Sequence, residues 1–269
     1  NIARLHNIMS DAYTLLLDFL AYNNYEKEKT RKKIHTLTAL RKKELHSLFE
    51  NRLEQLKKTE AASAIRDEHY FYHHYLIESE AEEHFSRIGK RKLDESLQHK
   101  VDNLDLFFLS AKLKYTCEML NRQRILSTTY NLRMVDQLME YIKSNQAYFD
   151  HYPVIGIYTK IMQTLREPDN ETHFHGLVSL LEKHGKHFTN EELRGMYKYA
   201  ENYCIRKTNA GNALYLKELF GLYKKTVDKE IIFEGDYLPQ GTYKNIISAG
   251  TRLKEFGWTE KFVNTYTQH

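Results

Sequence analysis

Neither glycine nor proline occurs before Gly89. Such a stretch lacks any residue that adopts positive φ at no cost and any that removes an amide donor, so it has few ways to reverse direction tightly. It predicts long helices joined by polar turns. The rest of the chain is similar, with 11 Gly and 3 Pro in 269 residues, where average usage is roughly 7% and 5%. Turn-rich β-sandwiches, barrels and glycine-rich nucleotide folds are disfavoured on that ground.

Hydrophobic spacing fills in the elements. Over residues 1–23, Leu5, Ile8, Met9, Ala12, Leu15, Leu16, Phe19 and Leu20 recur at steps of three and four and make one continuous apolar face. From Glu26 a charged segment carrying Ile34, Leu37, Leu45, Leu48, Phe49, Leu53 and Leu56 on one side reads as a single long helix, fading at residues 59–63. An aromatic helix over about 65–88 ends at Gly89. Helices of about 94–125, with a joint at Asp102-Asn103, and 129–146 follow. Pro153 and Pro168 bracket a helix of 153–166, because proline suits a first turn and shuns the interior. Asn170 caps the next, which ends at Gly185, and Thr189 three residues before Glu192 is a capping box ahead of a helix to about 207. Gly211 opens a helix to about 227, residues 228–238 form a long loop, and helices of 240–255 and from Trp258 complete the chain.

Counted from Asp102, these helices pair, with first members near 102, 153, 190 and 241. Two antiparallel helices per step predict an all-α chain built as an α-solenoid of helix pairs in a right-handed superhelix. Residues 1–89 form an N-terminal long-helix region, and residues 90–269 form helical-hairpin repeats continuous with it. The missing initiator Met and the apolar last helix, with Trp258, Phe262, Val263 and Tyr266, predict a piece of a longer protein truncated at both ends. Exposure of Trp258 and Phe262 at such an end would offer a route to self-association.

The stretch from Leu104 to Tyr115, LDLFFLSAKLKY, resembles the first helix of a tetratricopeptide repeat, and Thr242 to Gly250, TYKNIISAG, resembles the opening of tetratricopeptide and pentatricopeptide helices. The sequence departs from both where a small alanine is usual in the second helix, since Thr259 and Lys261 stand there beside Trp258 and Phe262. Residues 191–207 with Tyr243 to Ile247 are also similar to a family of long, uncharacterised bacterial helical-repeat proteins. That resemblance covers most of the chain and supplies no activity.

Forty Lys and Arg against thirty-six Asp and Glu leave +4, which does not demand a polyanionic partner. The charge is uneven, however. Residues 27–58 hold eleven basic residues against four glutamates, a local +7. Such a band would track a phosphate backbone, with Arg41, Lys42, Lys43 and Arg52 as contacts and nearby tyrosines stacking on bases; equally, it is a solvated helix face whose aliphatic stems cover apolar neighbours. Residues 61–100 carry six basic and eight acidic groups that would partly neutralise it.

Chemistry-bearing motifs are sparse. His69 and His73 share a helix face with Glu80, Glu83 and His84, but neither HExxH nor CxxC occurs, and His173, His175, His184 and His187 read as loop-edge residues. Cys117 and Cys204 fall mid-helix, where no helix N-terminus stabilises a thiolate, and read as packed, reduced thiols in a cytoplasmic setting. No nucleophile elbow, P-loop or dinucleotide fingerprint is present. The expectation is a non-enzymatic scaffold with no metal or cofactor, binding a protein or peptide partner, with nucleic-acid binding through the basic band as the alternative.

Overall fold

The computed structural model describes residues 2–89, 95–126 and 128–266, apart from the side chains of Ile2, Ala3 and Ile125. The described residues are all helical and turn, with no strand among them and a single isolated bridge between Glu234 and Tyr237. They form α1 (Ile2–Lys27), α2 (Lys29–Lys42), α3 (His46–Ala61), α4 (Glu68–Arg87), α5 (Ser96–Leu126), α6 (Val135–Ser144), α7 (Gln146–Phe149), α8 (Pro153–Arg166), α9 (Glu171–His184), α10 (Asn190–Asn209), α11 (Leu214–Asp228), α12 (Gln240–Arg252) and α13 (Phe256–Tyr266). The chain falls into two compact units, residues 1–63 with 69–107, and residues 64–68 with 108–269, so the division lies within α5.

In the first unit, α2, α3 and α4 enclose a core of Ile34, Leu37, Phe49, Leu53, Leu56, Ile77 and Ala81. His84 is buried and stacks on Phe49 with ring centres 4.1 Å apart. The charged segment expected as one helix is two. α2 stops at Lys42 and α3 starts at His46, because Glu44 takes a left-handed conformation at φ 57°. Amides of Glu44 and Leu45 then bond back to the carbonyls of Arg41 and Leu40, the paired bonds of a Schellman ending. The same pair recurs after α10 at Gly211, after α11 at Glu230 and after α12 at Lys254. Glycine occupies the left-handed position in only one of these four.

In the second unit α8 packs on α9, α10 on α11 and α12 on α13, while α10 also meets α8 and α9, and α11 meets α12. The capping chemistry that marks these helices in the sequence operates locally: Pro153 opens α8, Asn170 Oδ1 accepts from the Thr172 amide, and Thr189 Oγ1 accepts from the Glu192 amide. An aromatic core joins α9, α10 and α11, with Phe174 and Tyr203 stacked at 4.8 Å and Tyr215 edge-on to both. α5 runs through Asp102-Asn103 without a joint, and its expected start at Asp94 lies outside the described residues. Residues 129–134, expected as helix, precede α6 as turn and coil, Met134 standing at φ 65°. Trp258 and Phe262 are not laid bare: Phe262 is buried, and Trp258 is half-buried with its ring edge-on to Phe220 at 5.2 Å.

Candidate functional site

α6 and α7 run back along α8, yet α6 makes little backbone contact with it, and a trough of about 820 Å³ opens between them. Its floor is one stripe of α8, namely Gly156, Thr159, Lys160 and Gln163 at steps of three and four. Met139, Ile142 and Phe149 line one wall, and Gly176, Ser179 and Leu180 of α9 line the other. Gly156 on the floor and Gly176 in the wall stand close to their neighbours: a Cβ on the first would meet Leu180 Cδ1 at 3.8 Å, and one on the second would crowd Lys160 Cε at 3.3 Å.

Two polar atoms on this floor stand out. Thr159 Oγ1 and Gln163 Oε1 are buried and have no hydrogen-bond partner in the protein. Threonines at Thr116, Thr164, Thr226 and Thr259 each return their hydroxyl to the carbonyl four residues earlier, so Thr159 departs from the local habit. A buried unpaired polar atom costs about 1–3 kcal/mol. The rim is acidic in balance, with Glu140 and Asp150 against Lys143, while Asp136 is paired with Arg166 at 2.8 Å and Glu167 with His173 at 3.0 Å. His184 at the far end has its pKa lowered by burial and by Lys183, His187 and Lys186 nearby.

A second polar cluster lies deeper in the same unit. Lys114 Nζ bonds Glu192 Oε2 at 2.6 Å and also Glu68 Oε1, while the Tyr158 hydroxyl donates to Glu192 Oε1. Burial works against the Lys114 charge, but the hydrogen bonds from Glu192 and Glu68 prevail and hold its pKa above the ordinary lysine value. Burial, together with the Glu192 charge, keeps the Tyr158 phenol protonated. A lysine held charged is no nucleophile and a phenol held neutral is no base, so the cluster works as a bolt between residues 64–68, α5, α8 and α10. Glu192 therefore fulfils half of the capping box: its amide is capped, while its carboxylate serves this cluster.

The residues singled out in the sequence are dispersed. Arg41 is largely buried, with Nε 2.6 Å from Glu80 and Nη1 2.6 Å from Glu83, whereas Lys42, Lys43 and Arg52 are exposed. His69 and His73 line a recess of about 730 Å³ with Lys27, Glu28, Lys29, Thr30, Arg31 and Tyr72. Among the described residues no group of three or more His, Cys, Asp or Glu converges on a metal-sized site, and no helix is long and apolar enough to cross a membrane. Cys117 and Cys204 are buried, and burial pushes both thiols up. Sequence reasoning missed the trough. Its one legible signal is a pair of mid-helix glycines, Gly156 and Gly176, in a chain poor in glycine. The chain matches no family model, no curated protein and no solved structure.

Proposed function

We propose that α8–α13 form a tetratricopeptide-like stack of antiparallel pairs, and that the trough beside α8 binds a peptide segment of a protein partner. The observation that carries this reading is the buried, unpartnered pair Thr159 Oγ1 and Gln163 Oε1 on the α8 floor between the apolar walls of Met139, Ile142, Phe149 and Leu180. Spaced four residues apart, they lie about 6 Å from one another along the helix, a separation that suits bonds to the backbone of a bound segment. The rim favours a segment with apolar side chains and a lysine or arginine. Selection of a random dodecapeptide library on the whole chain tests this. Enriched peptides should bind Gly156→Leu and Gln163→Met at least tenfold more weakly, and Arg52→Glu unchanged. Equal binding to wild type and Gly156→Leu refutes it.

Nucleic-acid binding through α2 and α3 is the second reading, supported by the recess in which Lys27, Lys29 and Arg31 meet Tyr72. Arg41 drops out as a contact because Glu80 and Glu83 hold it, leaving Lys42, Lys43 and Arg52. Oligonucleotide affinity should then fall steeply with salt, and Lys42→Glu with Lys43→Glu should abolish it. Retention of binding by that double variant refutes this reading.

A further inference from the structure

Every side chain from Arg4 to Asn24 is exposed, and among the described residues α1 carries the largest unburied apolar surface of any helix. Leu5, Ile8, Met9, Leu15, Leu16 and Phe19 are 52–69% exposed. At roughly 200 Å² for a large apolar residue, they leave on the order of 700 Å² in one stripe, beyond the roughly 300–600 Å² of the largest patch on an ordinary monomer. That is close to the roughly 800 Å² each partner contributes to a stable interface. Only α2 packs appreciably on α1.

The order of the stripe names its occupant. Leu5 and Phe19 stand seven residues to either side of Ala12, Ile8 and Leu16 four, and Met9 and Leu15 three. At about 100° per residue all seven fall within a sector of roughly 120° centred on Ala12, with Leu20, 53% exposed, just beyond its edge and opposite Arg4 of the other copy. Read alike in both directions, the stripe can meet itself antiparallel about a two-fold axis with each of these large residues facing a large one and its smallest residue at the axis, whereas a parallel pair would set Arg4 against Arg4 and Asp18 against Asp18. The same register brings Arg4 of one copy within about 3 Å, along the axis, of Asp18 on the other, on the same edge of the seam.

The geometry points to a second copy of this chain as the occupant: two α1 helices pair antiparallel about a two-fold axis at Ala12, joining two chains into a dimer. The interface is isologous, and it is independent of the trough beside α8.

Cysteine cross-linking of the whole chain, combined with sedimentation, tests it, since Cys117 and Cys204 are buried and silent. At an axial separation of 8–10 Å, facing Cα atoms lie about 4–6 Å apart, within disulfide reach. The wild type should sediment at twice 32.1 kDa at on the order of 10 μM. Ala12→Cys should cross-link to itself on mild oxidation. Leu5→Cys and Phe19→Cys should each fail alone and cross-link when mixed. Ala12→Glu, which places two like charges at the axis, should weaken the dimer at least ~100-fold with an unchanged circular dichroism spectrum, because the position is exposed. A monomer at ~100 μM, self-cross-linking by Leu5→Cys and Phe19→Cys as a parallel pair requires, or a dimer indifferent to Ala12→Glu overturns it.

Discussion

Gly250 and Gly156 both sit inside helices, and the same substitution should act on them with opposite sign. At Gly156 a methyl meets nothing nearer than Leu180 Cδ1 at 3.8 Å, an ordinary contact. Alanine there gains helix propensity and should stabilise by about 0.5–1 kcal/mol. At Gly250 a methyl would overlap Thr259 Oγ1 and would lie 3.1 Å from Phe220 Cε2 and 3.3 Å from Thr259 Cβ. Thr259 is buried and its hydroxyl is engaged at 2.8 Å with the Glu255 carbonyl, so it yields only by breaking that bond or by moving α13. Overpacking of about 1–3 kcal/mol and a lost hydrogen bond of about 1 kcal/mol outweigh the propensity gain of about 1 kcal/mol. The net expectation for Gly250→Ala is a loss of about 1–3 kcal/mol. The assay is built in, since Trp258, the sole tryptophan, lies on α13 and stacks on Phe262 at 5.4 Å. Urea unfolding followed by its fluorescence reports on this helix pair. Thr259→Ala in the Gly250→Ala background removes the clashing oxygen, so the double variant should lose less than the sum of the single losses. If Gly250→Ala is neutral or stabilising, the packing account of α12 and α13 is wrong.

Burial raises the Glu201 pKa to about 7 against the opposing Lys198 charge, so the folded state favours the neutral carboxyl. Its stabilising contribution is complete below pH 4.5 and is lost as pH rises through about 7; Glu201→Gln should therefore stabilise by up to ~3 kcal/mol at pH 8 and by little at pH 5, as urea midpoints at the two pH values will tell. Lys114→Met removes the cation held between the buried carboxylates of Glu68 and Glu192 and should cost about 3–5 kcal/mol in the same unfolding measurement. The two cysteines should resist iodoacetamide in the native protein at pH 8 and react together once urea unfolds it, because their thiols are buried and held protonated.

The clearest parts of the fold in the sequence were those with local start and stop chemistry. Pro153, Asn170 and Thr189 placed α8, α9 and α10 to within a residue or two, because a cap depends only on its own few neighbours. Where tertiary packing forced a non-glycine residue into the left-handed region, the spacing gave no warning: the break at Glu44 and the coil ending at Met134 were both read as helix. The trough was illegible for a different reason. It depends on how far α6 stands from α8, a distance that no residue in either helix encodes alone. Arg41 illustrates the same limit for charge, since it belongs to a basic band in sequence and to an acidic pair on α4 in space.

Three of the four Schellman endings place Glu44, Glu230 and Lys254 at φ of 57°, 55° and 60°. Side chains bearing a Cβ resist that conformation by about 1 kcal/mol each. Glycine at these three sites would relax the backbone without touching a packed neighbour, at the expense of a looser unfolded chain. A protein so poor in glycine thus keeps a small store of recoverable stability at its corners, open to an engineer who leaves every helix face alone.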